Sequence, residues 1–219
     1  MNANGRLRAV VFDNDGLLLD TEECWTRAEQ ELFGRHGHEF TPAHKRELLG
    51  SSPQATADWL ERTLGQPGEG TALVMELGLL VLAELAVYAA PRPGALELIA
   101  ALRIAGIPLA LASNSPGILI EQGLATAGIE PSTFTTILTA DVVTQPKPAP
   151  EIYLTACAAL GTAPEHTLVL EDSPTGVAAG VAAGCFTIAV PSIAGVDLGA
   201  AALVVDSLAS PEITRLLGL

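Results

Sequence analysis

The sequence predicts an α/β protein: a Rossmann-like parallel sheet flanked by helices, with an all-α helical insert after its first strand. Three observations carry this. From about residue 91 onward, helical and strand patterns alternate, the pattern expected of a parallel sheet with crossover helices. Between residues 21 and 90 the patterns are helical and no strong strand appears. The short apolar runs end in polar groups, as strands do where an open parallel sheet meets its ligand. The chain has 219 residues and 49% hydrophobic content, which suits one large domain carrying an insertion. The organisation expected is a core of residues 1–20 and 91–219 with a helical domain of residues 21–90.

Ala9–Phe12 reads as a short buried strand. It ends in Asp13 and Asp15, two apart, followed by Gly16. Extended chain repeats with period two, so both carboxylates can leave the strand end on one side. Two like charges this close resist joint ionisation unless a cation joins them or one keeps its proton. A metal, an acid/base pair, or both would answer that. Taken alone, Asp-Asn-Asp-Gly also suits a solvated acidic turn.

Helices are then expected over Glu22–His36, Pro42–Leu49, Pro53–Leu64 and Thr71–Tyr88, punctuated by Gly37, Gly50 and Gly65 to Gly68. The most apolar window, Leu77 to Ala90, contains Glu84 and reads as too short to span a bilayer. Ala90-Pro-Arg-Pro-Gly94 reads as a linker. Helix Ala95–Ala105 precedes strand Pro108–Ala112, and helix Gly117–Ala127 precedes a weak strand at Thr136–Leu138. Helix Ala149–Leu160 precedes strand Thr167–Leu170, and helix Pro174–Ala183 precedes strand Phe186–Val190. A last strand, Leu203–Val205, leads into a C-terminal helix.

The net charge is −14. A uniformly acidic surface repels nucleic-acid phosphates and anionic membranes. An anionic ligand would need local positive charge from a metal, a lysine or backbone N–H groups. Aromatics make up 4% of the chain, so the core must come mainly from Ala, Leu, Val and Ile. Cys24, Cys157 and Cys185 have no paired spacing and read as small buried hydrophobes in a reducing compartment. The opening Met-Asn-Ala-Asn-Gly-Arg does not read as a signal peptide. The expectation is a soluble, cytoplasmic protein, a monomer or weak dimer.

Three further segments carry chemistry. Leu109-Ala-Leu-Ala-Ser-Asn-Ser115 is an apolar run ending in hydroxyl and amide groups before a helix. Ser113 and nearby N–H groups can hold a phosphate oxygen, or the segment is a helix cap. Gln145-Pro-Lys-Pro-Ala-Pro150 stiffens the chain around Lys147. It aims one ammonium, or it is a solvated loop. Thr167-Leu-Val-Leu-Glu-Asp-Ser-Pro-Thr-Gly176 ends an apolar run in Glu171 and Asp172. These are oxygen ligands of the kind Mg²⁺ prefers, or a cap for the next helix.

In this order, Asp-x-Asp-Gly, Ser, Lys-Pro-x-Pro and Glu-Asp-Ser-x-x-Gly resemble the haloacid dehalogenase superfamily of phosphatases and phosphomutases, from Val10 to about Val190. The helical insert resembles the cap of the subgroup containing β-phosphoglucomutase, phosphoglycolate phosphatase and small sugar-phosphate phosphatases. The resemblance implies a phosphatase acting on a small phosphomonoester. Asp13 would be the nucleophile that becomes an aspartyl-phosphate, and Asp15 the general acid and base. Mg²⁺ would be held by Asp13, the backbone carbonyl of Asp15 and Asp172, with Glu171 in support. Ser113, Asn114 and Lys147 would bind the phosphoryl oxygens, and Glu22, Trp25, Gly50 and Ser51 would face the substrate from the cap.

A phosphomutase is the nearest alternative. Its subgroup resembles this chain in the first motif but has a histidine where Trp25 stands, and cations where Leu49 and Pro53 stand. Lys45 and Arg46 lie just upstream and could partly substitute. Trp25 would stack on the substrate or pack between cap and core. Dehalogenases of the superfamily lack the second aspartate, which Asp15 retains. A non-catalytic relative would usually have lost part of the set, and no part is missing.

Overall fold

The computed structural model describes residues 7–219. The six preceding residues, read as no signal peptide and as the start of the core, lie outside them. Among the described residues, six strands form one parallel sheet. They are β1 (Ala9–Phe12), β2 (Leu109–Ala112), β3 (Thr136–Leu138), β4 (Thr167–Glu171), β5 (Phe186–Ala189) and β6 (Leu203–Val204). Four helices follow β1 directly: α1 (Glu22–Arg35), α2 (Pro42–Leu48), α3 (Pro53–Leu64) and α4 (Gly70–Tyr88). The rest alternate with strands: α5 (Ala95–Ile104), α6 (Gly117–Thr126), α7 (Glu151–Leu160), α8 (Pro174–Ala182) and α9 (Pro211–Leu217).

The spatial order is β3-β2-β1-β4-β5-β6. The chain runs outward from β1 through β2 and β3, then returns to the other side of β1 for β4. That reversal is the switch point beside which open α/β sheets bind ligands, at the carboxyl ends of their strands. Register brings those ends level: Phe12 pairs with Leu111 on one side and with Leu170 on the other. Asp13, Ser113 and Glu171 therefore leave three adjacent strands at nearly one height. The strands are apolar on both faces, as a sheet covered on both sides requires. Val10, Phe12, Leu111, Leu168 and Leu170 face one cluster, and Val11, Ala110, Ala112 and Val169 face the other.

The helical insert builds its own apolar cluster, including Leu32, Phe33, Leu60, Leu77, Val81 and Leu85, to which α6 adds Leu119. Helix α4 spans 19 residues and, by length and composition, is apolar enough to cross a membrane. This corrects the expectation drawn from the window at Leu77–Ala90. The helix starts earlier, at Gly70, and continues the apolar pattern from there. Here its Leu73, Leu77, Val81 and Leu85 face is buried at helical spacing, against α1, α3 and α6. All three cysteines are free and buried, with the Cys157 and Cys185 sulfurs 3.7 Å apart.

Strand β4 runs one residue beyond its expected end, because Glu171 pairs with Ala189. Helix α7 begins two residues later than expected. Residues 149 and 150 stay in the loop, and the Glu151 carboxylate accepts from the N–H groups of Thr144 and Gln145 at 2.8 and 2.7 Å. This first-turn carboxylate ties the loop that carries Lys147 to the helix start.

Candidate active site

Asp13 is the first residue after β1, and its N–H donates to the carbonyl of Leu170. Lys147 reaches it from the Pro-rich loop. The Lys147 Nζ donates to Asp13 Oδ1 and Glu171 Oε1, both at 2.6 Å, and to the Ala112 carbonyl at 2.9 Å. The lysine is 3% exposed, so it is no solvated loop residue. Burial opposes its charge, but the Asp13 and Glu171 carboxylates outweigh that and raise its pKa.

Asn114 holds this lysine by the backbone. Its Oδ1 accepts from the Lys147 N–H at 2.9 Å, and its Nδ2 donates to the Lys147 carbonyl at 3.1 Å. The same Nδ2 donates to the Gly50 carbonyl of the insert at 3.0 Å. The side chain expected to bind phosphate is thus engaged in joining three loops.

Glu171 is fully buried and both its oxygens are used. Oε1 accepts from Lys147 and, at 2.5 Å, from the Tyr153 hydroxyl. Oε2 accepts from the Asp172 and Ser173 N–H groups and the Ser173 hydroxyl. The capping alternative is realised by Ser173, whose hydroxyl also accepts from the Gly176 N–H, and not by Asp172. Asp172 instead accepts from Ser192 Oγ at 2.5 Å.

Asp13, Glu171 and Asp172 are buried, and one oxygen of each lies within 4.8 Å of the others. Burial first, then the charge of neighbouring carboxylates, raises the pKa of Asp13 and Asp172 well above the usual range, although Lys147 pulls Asp13 the other way. One ammonium cannot balance three carboxylates. An all-oxygen, buried, under-neutralised donor set fits a hard divalent cation. Gly16 belongs to the same packing: its φ is +74°, and a Cβ there would meet Asp172 Oδ2 at 2.3 Å.

Asp15 stands apart from that cluster. Its Oδ1 accepts from Thr21 Oγ1 at 3.0 Å and from the Trp25 indole N–H at 3.2 Å. Its Oδ2 accepts from Ser115 Oγ at 2.8 Å and Ser113 Oγ at 3.4 Å. Of the two readings of this segment, phosphate binding or a helix cap, the cap is not made by these serines: both donate to Asp15, and Pro116 takes the N-cap position without a side-chain bond. Trp25 is neither a plain stacking platform nor plain filler, since its polar edge holds Asp15.

The insert closes the site from above. Glu22, Trp25, Gly50 and Ser51 line one cavity with Asp13, Asp15, Ser113, Lys147 and Asp172. Lys45, Glu29 and Leu49 line it too. The Lys45 Nζ lies 3.1 Å from both Glu22 Oε2 and Glu29 Oε2. Burial, against the pull of Lys45, raises the Glu29 pKa to about 7. Arg46 is exposed and does not line this cavity. Pro53 is absent from its walls as well, so the insert contributes Lys45 as its one cation among the described residues.

Sequence reasoning missed Ser115, Thr21, Tyr153, Ser192 and Glu29. Ser115 carried a signal in its two-residue spacing from Ser113, and Glu29 one in its seven-residue, two-turn spacing from Glu22 on α1. The others reach the site from separate elements.

A sheet whose central strand ends present a metal-competent acidic cluster and a buried lysine beneath a helical insert defines a hydrolase-type active site of the Rossmann-like class. A family model, haloacid dehalogenase-like hydrolase, matches residues 7–184, and the chain belongs to that family. It is 33% identical over 190 residues to the validoxylamine A 7′-phosphate phosphatase of Streptomyces hygroscopicus subsp. limoneus, covering 83% of this chain and 84% of that one. It is 30% identical over 197 residues to hexitol phosphatase B of Escherichia coli, covering 88% and 87%. The crystal structure of CbbY from Rhodobacter sphaeroides in complex with phosphate superposes with a TM-score of 0.84 at 30% identity, covering 97% of this chain and all of that one.

Proposed function

We propose that this chain is a Mg²⁺-dependent phosphatase that hydrolyses a small phosphomonoester through an aspartyl-phosphate on Asp13. The observation that carries it is the triad of Asp13, Lys147 and Glu171 at the switch point, with Asp15 held separately beside it. Family membership and two phosphatase relatives support it.

Asp13 attacks phosphorus, and the ester oxygen leaves with a proton from Asp15. Asp15 then takes a proton from the water that splits the aspartyl-phosphate. Two carboxylates with separate hydrogen-bond sets suit separate roles. Lys147 neutralises charge on the transferring oxygens, and Ser113 donates to them. Lys147 is held by Glu171 on one side and by Asn114 along its backbone, so its charge is fixed beside Asp13 while its three N–H bonds are engaged by Asp13, Glu171 and the Ala112 carbonyl. A divalent cation at Asp13, the Asp15 carbonyl and Asp172 would supply further positive charge to the phosphoryl group. Glu171, whose oxygens are engaged, would add charge and alignment of Lys147.

Residues 1–20 and 91–219 serve as the catalytic core and residues 21–90 as a cap, in a soluble cytoplasmic enzyme, a monomer or weak dimer. Phosphatase is favoured over phosphomutase because Lys45, the cap cation in the cavity, is already paired with two carboxylates. A second phosphate would meet Lys45 together with the two carboxylates that already oppose its charge.

The test is hydrolysis of para-nitrophenyl phosphate by the purified protein. Phosphate release with Mg²⁺, lost in excess chelator and restored by Mg²⁺, is the expected result. Full activity in chelator would remove the metal, and no release under any condition would remove the phosphatase.

A further inference from the structure

Resting on the phosphatase reading, we infer that Glu22, Glu29 and Lys45 form a hydroxyl-reading roof that selects an uncharged, polyhydroxylated alcohol as leaving group. A sugar or polyol monoester fits it, and a monoester carrying a second anion does not.

Glu22 and Glu29 are seven residues apart on α1, two helical turns, and so share a face. Lys45 comes from α2 and bridges them at 3.1 Å on each side. Their side chains are only 16, 5 and 12% exposed for Glu22, Glu29 and Lys45. Such an arrangement is not what packing alone would produce. The surrounding cluster is apolar, with Cys24, Ala28, Leu32, Leu48 and Leu77 in it. A buried ion pair is often no more stable than well-packed apolar residues of like volume. These three groups meet in the wall of the cavity that also holds Asp13, Asp15 and Lys147.

The charge of the roof decides the ligand. Above about pH 7, where Glu29 has lost its proton, two carboxylates and one ammonium leave an excess of negative charge. A carboxylate or second phosphate on the leaving group would meet that excess in a poorly solvated place. A hydroxyl meets the opposite situation. It is one donor and two acceptor sites, so it can give to Glu22 or Glu29 and accept from Lys45. The ammonium has three N–H bonds, one of which goes to Glu29 Oε2, while the buried Glu22 Oε2, 3.1 Å away, has no hydrogen-bond partner among the described residues. A site built to bond hydroxyls discriminates strongly against analogues that leave its buried groups unpaired.

The experiment compares kcat/KM for a hexitol phosphate, phosphoglycolate, fructose bisphosphate and para-nitrophenyl phosphate in the wild-type enzyme with Mg²⁺. We expect the hexitol phosphate to exceed both phosphoglycolate and the bisphosphate by about tenfold or more. Parity with, or preference for, either doubly anionic ester would overturn the inference while leaving the phosphatase intact. No hydrolysis even of para-nitrophenyl phosphate would overturn the phosphatase reading, and this one with it. A second arm uses Lys45→Met and the near-isosteric Glu29→Gln, each checked for native circular dichroism. The ratio of kcat/KM for hexitol phosphate over para-nitrophenyl phosphate should fall by about tenfold or more. An unchanged ratio in a folded variant of either kind would show that the roof does not read hydroxyls.

Discussion

Asp13 sits among three buried carboxylates, of which it and Glu171 share one ammonium. Replacing it by asparagine removes the proposed nucleophile and part of the local repulsion together. Asp13→Asn should therefore lose turnover by at least about a thousandfold. Its melting temperature without metal should equal or exceed that of the wild type, as at other strained active sites. Steady-state kinetics and thermal denaturation check the two halves separately. Retained turnover would take Asp13 out of the nucleophilic role. Glu29 offers a different readout. The folded protein holds its proton up to about pH 7, against 4.5 for an unperturbed glutamate. Between those values the folded state binds more protons than the unfolded one, so this group makes stability fall as pH rises through the window. Glu29→Gln should gain on the wild type in melting temperature across that range, and parallel profiles would contradict it. At this scale the sequence was legible where chemistry repeats along the chain. Asp13, Asp15, Lys147 and Glu171 announce themselves by spacing and by stiff neighbours. Tyr153 and Ser192 do not, because a hydrogen bond to Glu171 or Asp172 arises only when α7 and the segment after β5 are packed in place.

Every expected strand is present, because short apolar runs between helices leave little choice of period. The limits of elements were less legible. Glu171 lies inside β4 because of its partner Ala189, which no local pattern reveals. A helix cap was the local alternative for the segment of Ser113 and Ser115, whereas their partner Asp15 is about a hundred residues away. The loop between α2 and α3 is the element on which closure depends. Gly50 has φ +71°, and a Cβ there would meet Ser173 Oγ at 2.6 Å. Gly50→Val would need both a left-handed backbone, which L-residues resist by about 1–2 kcal/mol, and room where none exists. The loop should then seat away from Ser173 and Asn114. We expect kcat/KM to fall by about a hundredfold, as for other small misplacements of a closing element, with the fold retained. Circular dichroism with kinetics on the purified variant checks this, and near-wild-type kcat/KM would show that the loop need not seat there.

For the whole molecule, the helical insert and the sheet each have their own apolar cluster and share the cavity between them. On the proposed function, the enclosure determines what happens to the aspartyl-phosphate. Transfer back to a sugar needs water kept out and a second phosphate gripped, whereas hydrolysis needs only one monoester held and water admitted. With Lys45 already paired, β-glucose 1-phosphate plus a trace of its bisphosphate should yield inorganic phosphate faster than glucose 6-phosphate. Product analysis over time decides this. Accumulating glucose 6-phosphate would mean that Lys45 leaves Glu22 and Glu29 to hold a phosphate.

The two strands of chain that join insert to sheet run side by side. The Asp20 N–H donates to the Ala90 carbonyl at 2.8 Å, and the Arg92 N–H donates to the Leu18 carbonyl at 2.9 Å. The Arg92 guanidinium then bonds the carbonyls of Gly16 and Pro191. Entry and exit are thus one hydrogen bond apart, like the two pins of a plug in a socket. Bridging so small a gap takes only a tight turn, and the closure entropy of a short loop is modest. The consequence is modular. A different insert spliced between residues 20 and 90 should leave the order of the six strands unaltered, provided it covers Leu119 of α6 as this one does. Selectivity can then change by exchange of a whole part while Asp13, Lys147 and Glu171 stay fixed in the socket.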